Sequence, residues 1–168
     1  MTEPGTIPSE GYDSEAAEGR SGFRDAAVRA VTQAQMQIAL LSQSLDREIY
    51  GTEDFNAPLT AFLLSHERAQ LRVLLRHSTG AALSGHRLVE LGRRLSSRVA
   101  FRTLSQERQL EYELLVVDES AVLLRATPQE VTARYWPHAP LLARERLREF
   151  ETLWQDATPS AELRSMSL

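Results

Sequence analysis

The sequence has 168 residues, 42% of them hydrophobic and 25% charged, which is the profile of one globular domain with a core. It has no cysteine and no lysine, which excludes disulfides, thiolate metal sites, a Cys nucleophile and Schiff-base chemistry. The net charge of −4 resides in residues 1–22, and the neutral remainder argues against nucleic acid as a partner, because duplex binding needs several cations on one face.

Residues 1–22 are rich in Gly, Pro, Ser and Glu, and they offer little to bury. We therefore predict a disordered acidic tail over 1–22 and a single α/β domain over 23–168. The chain starts without the basic segment and apolar run of a secretory signal. Its apolar stretches are far shorter than the roughly 18 residues that span a membrane, so we expect a cytoplasmic protein without a membrane span.

Hydrophobic spacing predicts an alternation of helices and strands along the rest of the chain. The predicted helices cover 23–34, 54–67, 86–96 and 140–156. The predicted strands cover 36–42, 70–76, 98–103, 111–118 and 121–125, and the last two form a hairpin. Residues 126–139 are predicted to be irregular, and an edge strand is expected within 159–168. This order favours an α/β fold with a mixed sheet, parallel in its first half and antiparallel at the hairpin.

Several stretches resemble one half of a phospholipase D-like enzyme. QAQMQIALLS is similar to the first helix–strand unit of that superfamily, and QLRVLLR to its second strand. ELLVVDESAVLL resembles its motif-bearing hairpin, and FETLW its closing helix. The stretches GHRL and RRLSS also resemble a small proteobacterial group of such proteins. The resemblance implies a three-layer α/β domain with a mixed sheet flanked by helices.

The motif of that superfamily is His-x-Lys-x4-Asp, in which the His is the nucleophile and the Lys holds phosphate. With the motif Asp placed on Asp118, Glu111 takes the His position and Glu113 the Lys position. Two carboxylates repel a phosphodiester, and neither supplies an imidazole. Active members also combine two motifs, within one chain or across a dimer, and this sequence has no second motif. The resemblance therefore implies the fold and speaks against the reaction.

The two glutamates have two further interpretations. Strand alternation puts Glu111 and Glu113 on one face, where they could serve as a metal or acid–base pair. The other interpretation is a charged face of an edge strand, paired with Arg125 across the hairpin.

The loop between the second strand and the third helix is a candidate anion site. It follows a strand and opens a helix, a position at which backbone amides bind anions. The candidate residues are His77, Ser78, Gly85, His86 and Arg87. The alternative is a capped helix whose His and Arg are solvated or bonded to neighbouring loops.

A second candidate binding surface is a basic patch just beyond this loop, made of Arg93, Arg94, Arg98 and Arg102. It suits nucleic acid, an anionic lipid or an acidic partner, or it is only the exposed face of a helix in a lysine-free protein. The histidines are too dispersed to predict a metal site, and no cofactor motif is present.

These observations lead to two hypotheses about function. The first is a non-catalytic phospholipase D-like domain that binds a protein partner, a second copy or an anionic ligand. The alternative is a phosphodiester hydrolase, or another phosphate-ester enzyme, with a non-standard site near His86 and Arg87.

Overall fold

The structure is a computed structural model, and it describes residues 11–77, 80–160 and 163. Its strands are β1 (Glu15–Glu18), β2 (Gln37–Ser42), β3 (Gln70–Leu75), β4 (Val99–Thr103), β5 (Glu113–Val117), β6 (Ala121–Arg125), β7 (Thr132–Trp136) and β8 (Thr158–Pro159). Its helices are α1 (Gly19–Thr32), α2 (Arg47–Tyr50), α3 (Glu53–Ser65), α4 (Gly80–Leu83), α5 (Arg87–Arg94) and α6 (Pro140–Asp156).

The strands form one mixed sheet in the order β1-β7-β6-β5-β2-β3-β4-β8. β2, β3 and β4 are parallel, because α3 and the α4–α5 segment carry the chain back between them. All other neighbours pair antiparallel, including the β5–β6 hairpin. The predicted α/β class and mixed sheet are confirmed.

Helices cover both faces of the sheet, which gives three layers and two hydrophobic cores. On one face α1, α3 and α5 pack over Leu40 and its neighbours. On the other face α6 packs Phe150 and Trp154 over Leu41 and its neighbours. Because both faces are covered, successive residues of β2 are buried on opposite sides, and the strand is apolar throughout its middle.

The chain is ordered earlier than the composition predicts. Within the expected tail of 1–22, Glu15–Glu18 forms β1 and pairs with β7, and α1 already begins at Gly19. Ala17 is buried, and the N–H of Gly19 donates to the carbonyl of Val131. Pairing with β7 satisfies the backbone N–H and C=O groups of this segment. The strand therefore forms although Ala17 is the one buried side chain in it. The prediction of disorder was wrong for these residues, and residues 1–10 lie outside the described part of the chain.

Two further expectations change near the carboxyl end. Residues 126–139 are not wholly irregular, because Thr132–Trp136 forms β7 with Ala133 and Tyr135 buried on one face. Prolines lie on both sides of this strand, at 128 and 137, and proline argues against a strand. The alternation of buried and exposed residues between them was therefore not recognised. The edge strand expected within 159–168 shares only Pro159 with β8, which pairs with Arg102 and Thr103 of β4, and residues 161, 162 and 164–168 lie outside the described part of the chain. Among the described residues, no helix combines the length and apolarity needed to cross a bilayer.

Candidate functional site

Glu113, one of the motif positions of the hairpin, lies at the edge of the sheet where ligands of open α/β sheets bind. β2, β3 and β4 are parallel, so their carboxyl ends share one edge. β5 runs antiparallel to β2, which places its first residue, Glu113, at this same edge beside Ser42. The crevice outside the carboxyl ends of parallel strands is the usual ligand position in such sheets.

Glu113 is buried at this edge and fully engaged by hydrogen bonds. Its Oε1 accepts from the Ser42 hydroxyl at 3.2 Å and from the Gln43 backbone N–H at 2.7 Å. Its Oε2 accepts from the Tyr50 hydroxyl at 3.0 Å. Burial raises the pKa of the Glu113 carboxyl above its ordinary value, and the Gln43 amide and Arg125 oppose that rise. We call these four residues, together with Arg125, the Glu113 cluster.

Arg125 supplies the counter-charge of the Glu113 cluster. It is the direct cross-strand partner of Glu113 in the β5–β6 register, as the sequence predicts. Its guanidinium carbon lies 5.5 Å from the centre of the Phe23 ring. β5 is flanked by β6 and β2, so the interpretation of Glu113 as part of a solvated edge strand was wrong. A continuous apolar stretch after the glutamate is the mark of an interior strand, and it was the signal available in the sequence.

Glu111 has a different environment from Glu113. It lies in the loop before β5, it is exposed, and its Oε1 is 3.8 Å from Nη1 of Arg76. The same Arg76 nitrogen donates to the Leu110 carbonyl at 3.1 Å. One carboxylate is therefore solvated and the other is enclosed among donors. Among the described residues, no group of three or more acidic or histidine side chains is arranged to hold a metal ion.

Asp118, the one residue that matches the motif, ties the hairpin to the sheet. It sits in the β5–β6 turn with a φ of +55°, a backbone conformation that Asp tolerates better than most residues. Its carboxylate accepts the backbone N–H groups of Gln35, Met36 and Gln37 at 3.0, 2.7 and 3.0 Å. These bonds fix the turn against the start of β2, at the opposite edge from Glu113.

His86 is a buried helix cap. It is 1% exposed, and its Nδ1 accepts the N–H of Leu88 at 3.1 Å at the start of α5. Its other ring nitrogen therefore carries the proton and donates to the Leu45 carbonyl at 2.9 Å. Burial lowers the pKa of His86 and favours the neutral ring. Both ring nitrogens are engaged inside the protein.

The other members of the candidate anion site do not gather around His86. Gly85 and Arg87 line a cavity of about 590 Å³ between α3 and α5, and Arg87 pairs there with Glu53 at 3.1 Å. His77 is exposed and follows β3, where its N–H donates to the Gln43 carbonyl. Ser78 lies outside the described residues. The structure therefore divides the predicted loop site between a helix cap and two separate surface positions.

The predicted basic patch is also divided. Arg98 donates to the carbonyl of Leu63 near the end of α3, and Arg102 donates to that of Trp154 near the end of α6. Guanidinium groups at these positions satisfy carbonyls that a helix end leaves free. Arg93 pairs with Glu90 at 2.6 Å, and Arg94 is exposed. The stretch 93–102 is thus not the single exposed face that the sequence suggested.

Sequence reasoning missed the donors that surround Glu113. Ser42 ends β2 and Gln43 follows it, whereas Tyr50 comes from α2, a four-residue helix between the predicted strand 36–42 and the predicted helix 54–67. A helix of four residues is too short to show a periodicity. The burial of Ile49 and Tyr50 side by side depends on α1 and α3, which lie elsewhere in the sequence.

The chain matches one family model, and it shares its fold with several solved structures. A family model described as "Domain of unknown function (DUF7931)" matches residues 19–166. Among curated proteins, none matches the sequence. The solved structures that share its fold include Nuc from Salmonella typhimurium, a phospholipase D family member. Nuc is 16% identical with a TM-score of 0.61, and the match covers 88% of this chain and 97% of Nuc.

Two longer proteins contain the same fold. TrmBL2, an archaeal chromatin protein with a novel mode of DNA binding, is 13% identical with a TM-score of 0.66. That match covers 91% of this chain and 56% of TrmBL2, so the chain spans little more than half of that protein. Phosphatidylserine synthase from Haemophilus influenzae Rd KW20 is 10% identical with a TM-score of 0.60, over 92% and 41% of the two chains. At these identities the likeness establishes the fold, and it confirms the structural resemblance predicted from the sequence.

Proposed function

This chain belongs to the DUF7931 family and has a phospholipase D-like fold, and from that premise we propose that it is a non-catalytic domain that acts as a binding or interaction module. The observation that carries the proposal is the Glu113 cluster. A buried carboxylate, held by Ser42, Gln43 and Tyr50, stands where the motif of this fold has a lysine.

The chemistry of the motif cannot run on these side chains. A phosphodiester needs a nucleophile such as imidazole and cations around its oxygens. Glu111 replaces the imidazole with a solvated carboxylate, and Glu113 replaces the cation with an acid whose oxygens already accept three hydrogen bonds. An ionised carboxylate at either position would repel the negative phosphate.

The histidines nearest to this edge are the alternative nucleophiles. Of the four, all within the described residues, His77 follows β3 at the edge, and His86 is buried with its ring bonded to the Leu45 carbonyl. His86 would have to break its bonds to Leu88 and Leu45 before it could attack a substrate. His77 is exposed and is therefore the stricter test of the proposal.

The test is hydrolysis of bis(4-nitrophenyl) phosphate by the purified chain between about pH 5 and 9, a range that spans the ordinary titration of His. We expect release of 4-nitrophenol at the rate of buffer alone. Turnover that is lost in His77→Ala or in His86→Asn, with folding retained, would overturn the proposal in favour of the hydrolase alternative. Asn is chosen at position 86 because it caps helices well.

We further propose that the partner of this module is not a nucleic acid. The DNA binding of TrmBL2 belongs to a longer chain, of which the match to this chain covers 56%. Two of the four patch arginines donate to helix carbonyls, and a third is paired with Glu90. Few cations are left on that face to neutralise phosphates, and non-specific duplex affinity depends on their number.

A further inference from the structure

A cavity of about 360 Å³ lies at the β4 edge of the sheet, between α5 and the end of α6. We call it the β4 pocket and define it by Arg93, Ser96, Phe101, Arg102, Trp154 and Ser160. β8 pairs with only the last two residues of β4, Arg102 and Thr103. Among the described residues, no strand pairs with the outer side of the first three residues of β4. The volume falls in the range of roughly 300–1,000 Å³ that is usual for small-molecule sites.

The sequence shapes one wall of the pocket through a glycine. A Cβ added at Gly92 would lie 2.5 Å from Cε2 of Phe101, a distance that is too short for two carbon atoms that are not bonded to each other. Glycine at this position lets the Phe101 ring lie against α5. Trp154 of α6, whose ring stacks on that of Phe150, contributes a second aromatic surface. The pocket therefore has an aromatic lining that suits a flat apolar group.

The pocket also carries positive charge. Arg102 is fixed, because it donates to the Trp154 carbonyl at 2.7 Å and lies 4.6 Å from the centre of the Trp154 indole. Arg93 donates through Nη1 to Glu90, which is not itself one of the lining residues. Among the described lining residues, none is acidic. Two arginine side chains thus belong to the lining of the pocket.

Arg93 has donors that the described residues do not use. Its Nε and Nη2 are buried and have no hydrogen-bond partner among them. A buried donor without an acceptor costs free energy, and a charged donor costs more than a neutral one. An anion in the pocket gives the guanidinium an acceptor once the side chain turns toward it, and Arg suits two-pronged binding of phosphate or carboxylate.

We propose that the β4 pocket binds a small organic anion that carries an aromatic ring, with the anionic group on Arg93 and the ring against Phe101 and Trp154. This inference deepens the proposed function, since it gives the binding module a class of ligand. The two fail separately. Hydrolysis of a phosphodiester disproves the proposed function, whereas absence of binding at the pocket disproves only the ligand assignment.

The experiment is isothermal titration of the full chain with phenyl phosphate in a chloride buffer, with inorganic phosphate and phenol as partial ligands. We expect phenyl phosphate to bind at least about tenfold more tightly than either partial ligand, because charge and ring both contribute. Absence of binding at about 10 mM phenyl phosphate, a very weak affinity, would overturn the proposal. Equal binding of inorganic phosphate would do the same, because the ring would then have no role.

The matched variants are neighbours on α5. Arg93→Met should weaken phenyl phosphate binding by about tenfold or more, through loss of a charge-assisted contact. Arg94→Met removes an exposed charge that is not part of the pocket, and it should change the affinity by less than about twofold. Equal losses in both variants would mean attraction by net charge alone and would overturn the proposal.

A third variant keeps the test decisive if Arg93→Met does not fold. Ser96 is exposed and lines the pocket, so Ser96→Trp adds a large side chain without removing a buried contact. We expect this variant to lose phenyl phosphate binding and to retain its thermal stability. Unchanged binding in Ser96→Trp would show that the ligand lies elsewhere and would overturn the proposal.

Discussion

At the scale of single residues, the buried carboxylate of Glu113 connects several elements of the fold. Its carboxylate joins the end of β2 to α2 through Ser42, Gln43 and Tyr50, and Arg125 lies across the hairpin. A charge removed from water is costly unless it is paired and hydrogen-bonded. The cluster meets this demand in part, and the pKa of Glu113 is still raised by burial.

The raised pKa of Glu113 predicts a pH-dependent stability. The folded protein holds this proton more tightly than the unfolded chain does, so the contribution is complete below the ordinary pKa of 4.5 and is lost as the pH rises through the folded pKa. The slope for one proton is on the order of 1 kcal/mol per pH unit. Glu113→Gln cannot titrate, and we expect that component to disappear.

The measurement for this prediction is urea denaturation of wild type and variants at a series of pH values from about 4.5 upward. Glu111→Gln is the matched control, because it neutralises the other motif position at an exposed site. That control should keep the wild-type pH dependence. If Glu113→Gln kept it as well, burial would not be perturbing this carboxyl, and the account of the cluster would be wrong.

At the scale of secondary-structure elements, Asp118 holds the β5–β6 hairpin to the first parallel strand. Three backbone N–H groups at the start of β2 converge on one carboxylate. Bonds of this kind contribute about 1.5–3 kcal/mol each, and they do not add fully because they share an acceptor. The residue therefore has a structural reason to be Asp that is independent of any catalysis at the other edge.

We predict that Asp118→Ala lowers the free energy of unfolding by about 2–4 kcal/mol, because it removes three charge-assisted bonds and strains a positive φ. Asp118→Asn should cost less, since Asn keeps one acceptor oxygen and tolerates the left-handed conformation. Glu119→Ala, which breaks only an exposed pair with Arg144, should stay within about 0.5 kcal/mol of wild type. Chemical denaturation at one pH measures all three, and an Asp118→Ala value as small as that of Glu119→Ala would contradict the assignment.

Some secondary-structure elements could be predicted from the sequence, and others could not. β2, β3 and the hairpin were predictable because each is an apolar run bounded by polar turns. β1 was missed because Glu15–Glu18 gains its backbone partners from β7, more than a hundred residues away. The donors to Glu113 were missed for the same reason, since Tyr50 and Glu113 meet only when α2 packs beneath the sheet. Local patterns carry no information about such distant partners.

At the scale of the whole molecule, the arginines serve mainly to connect elements of the fold. Among the described residues, nine arginines pair with carboxylates. Three more, Arg47, Arg98 and Arg102, donate to backbone carbonyls. Two guanidinium groups, those of Arg72 and Arg102, lie against the Trp154 ring at the end of α6. A lysine could not make the planar, stacked contacts seen here, so arginine is more than a stand-in for charge.

This distribution predicts weak binding to nucleic acid. Residues 23–168 are neutral overall, and most of their arginines already have an anionic or carbonyl partner. In fluorescence anisotropy with a labelled duplex of about 20 base pairs at about 150 mM salt, we expect a Kd weaker than about 100 μM, the weak end of non-specific binding. Lowering the salt should strengthen the binding to DNA only slightly, because few counterions are released.

Arg94→Ala, which removes an exposed charge of the basic patch, should flatten that small salt dependence further. A Kd in the low micromolar range with a steep salt slope would show a phosphate-binding face that this pairing of charges does not allow, and the proposal that the partner is not nucleic acid would fall.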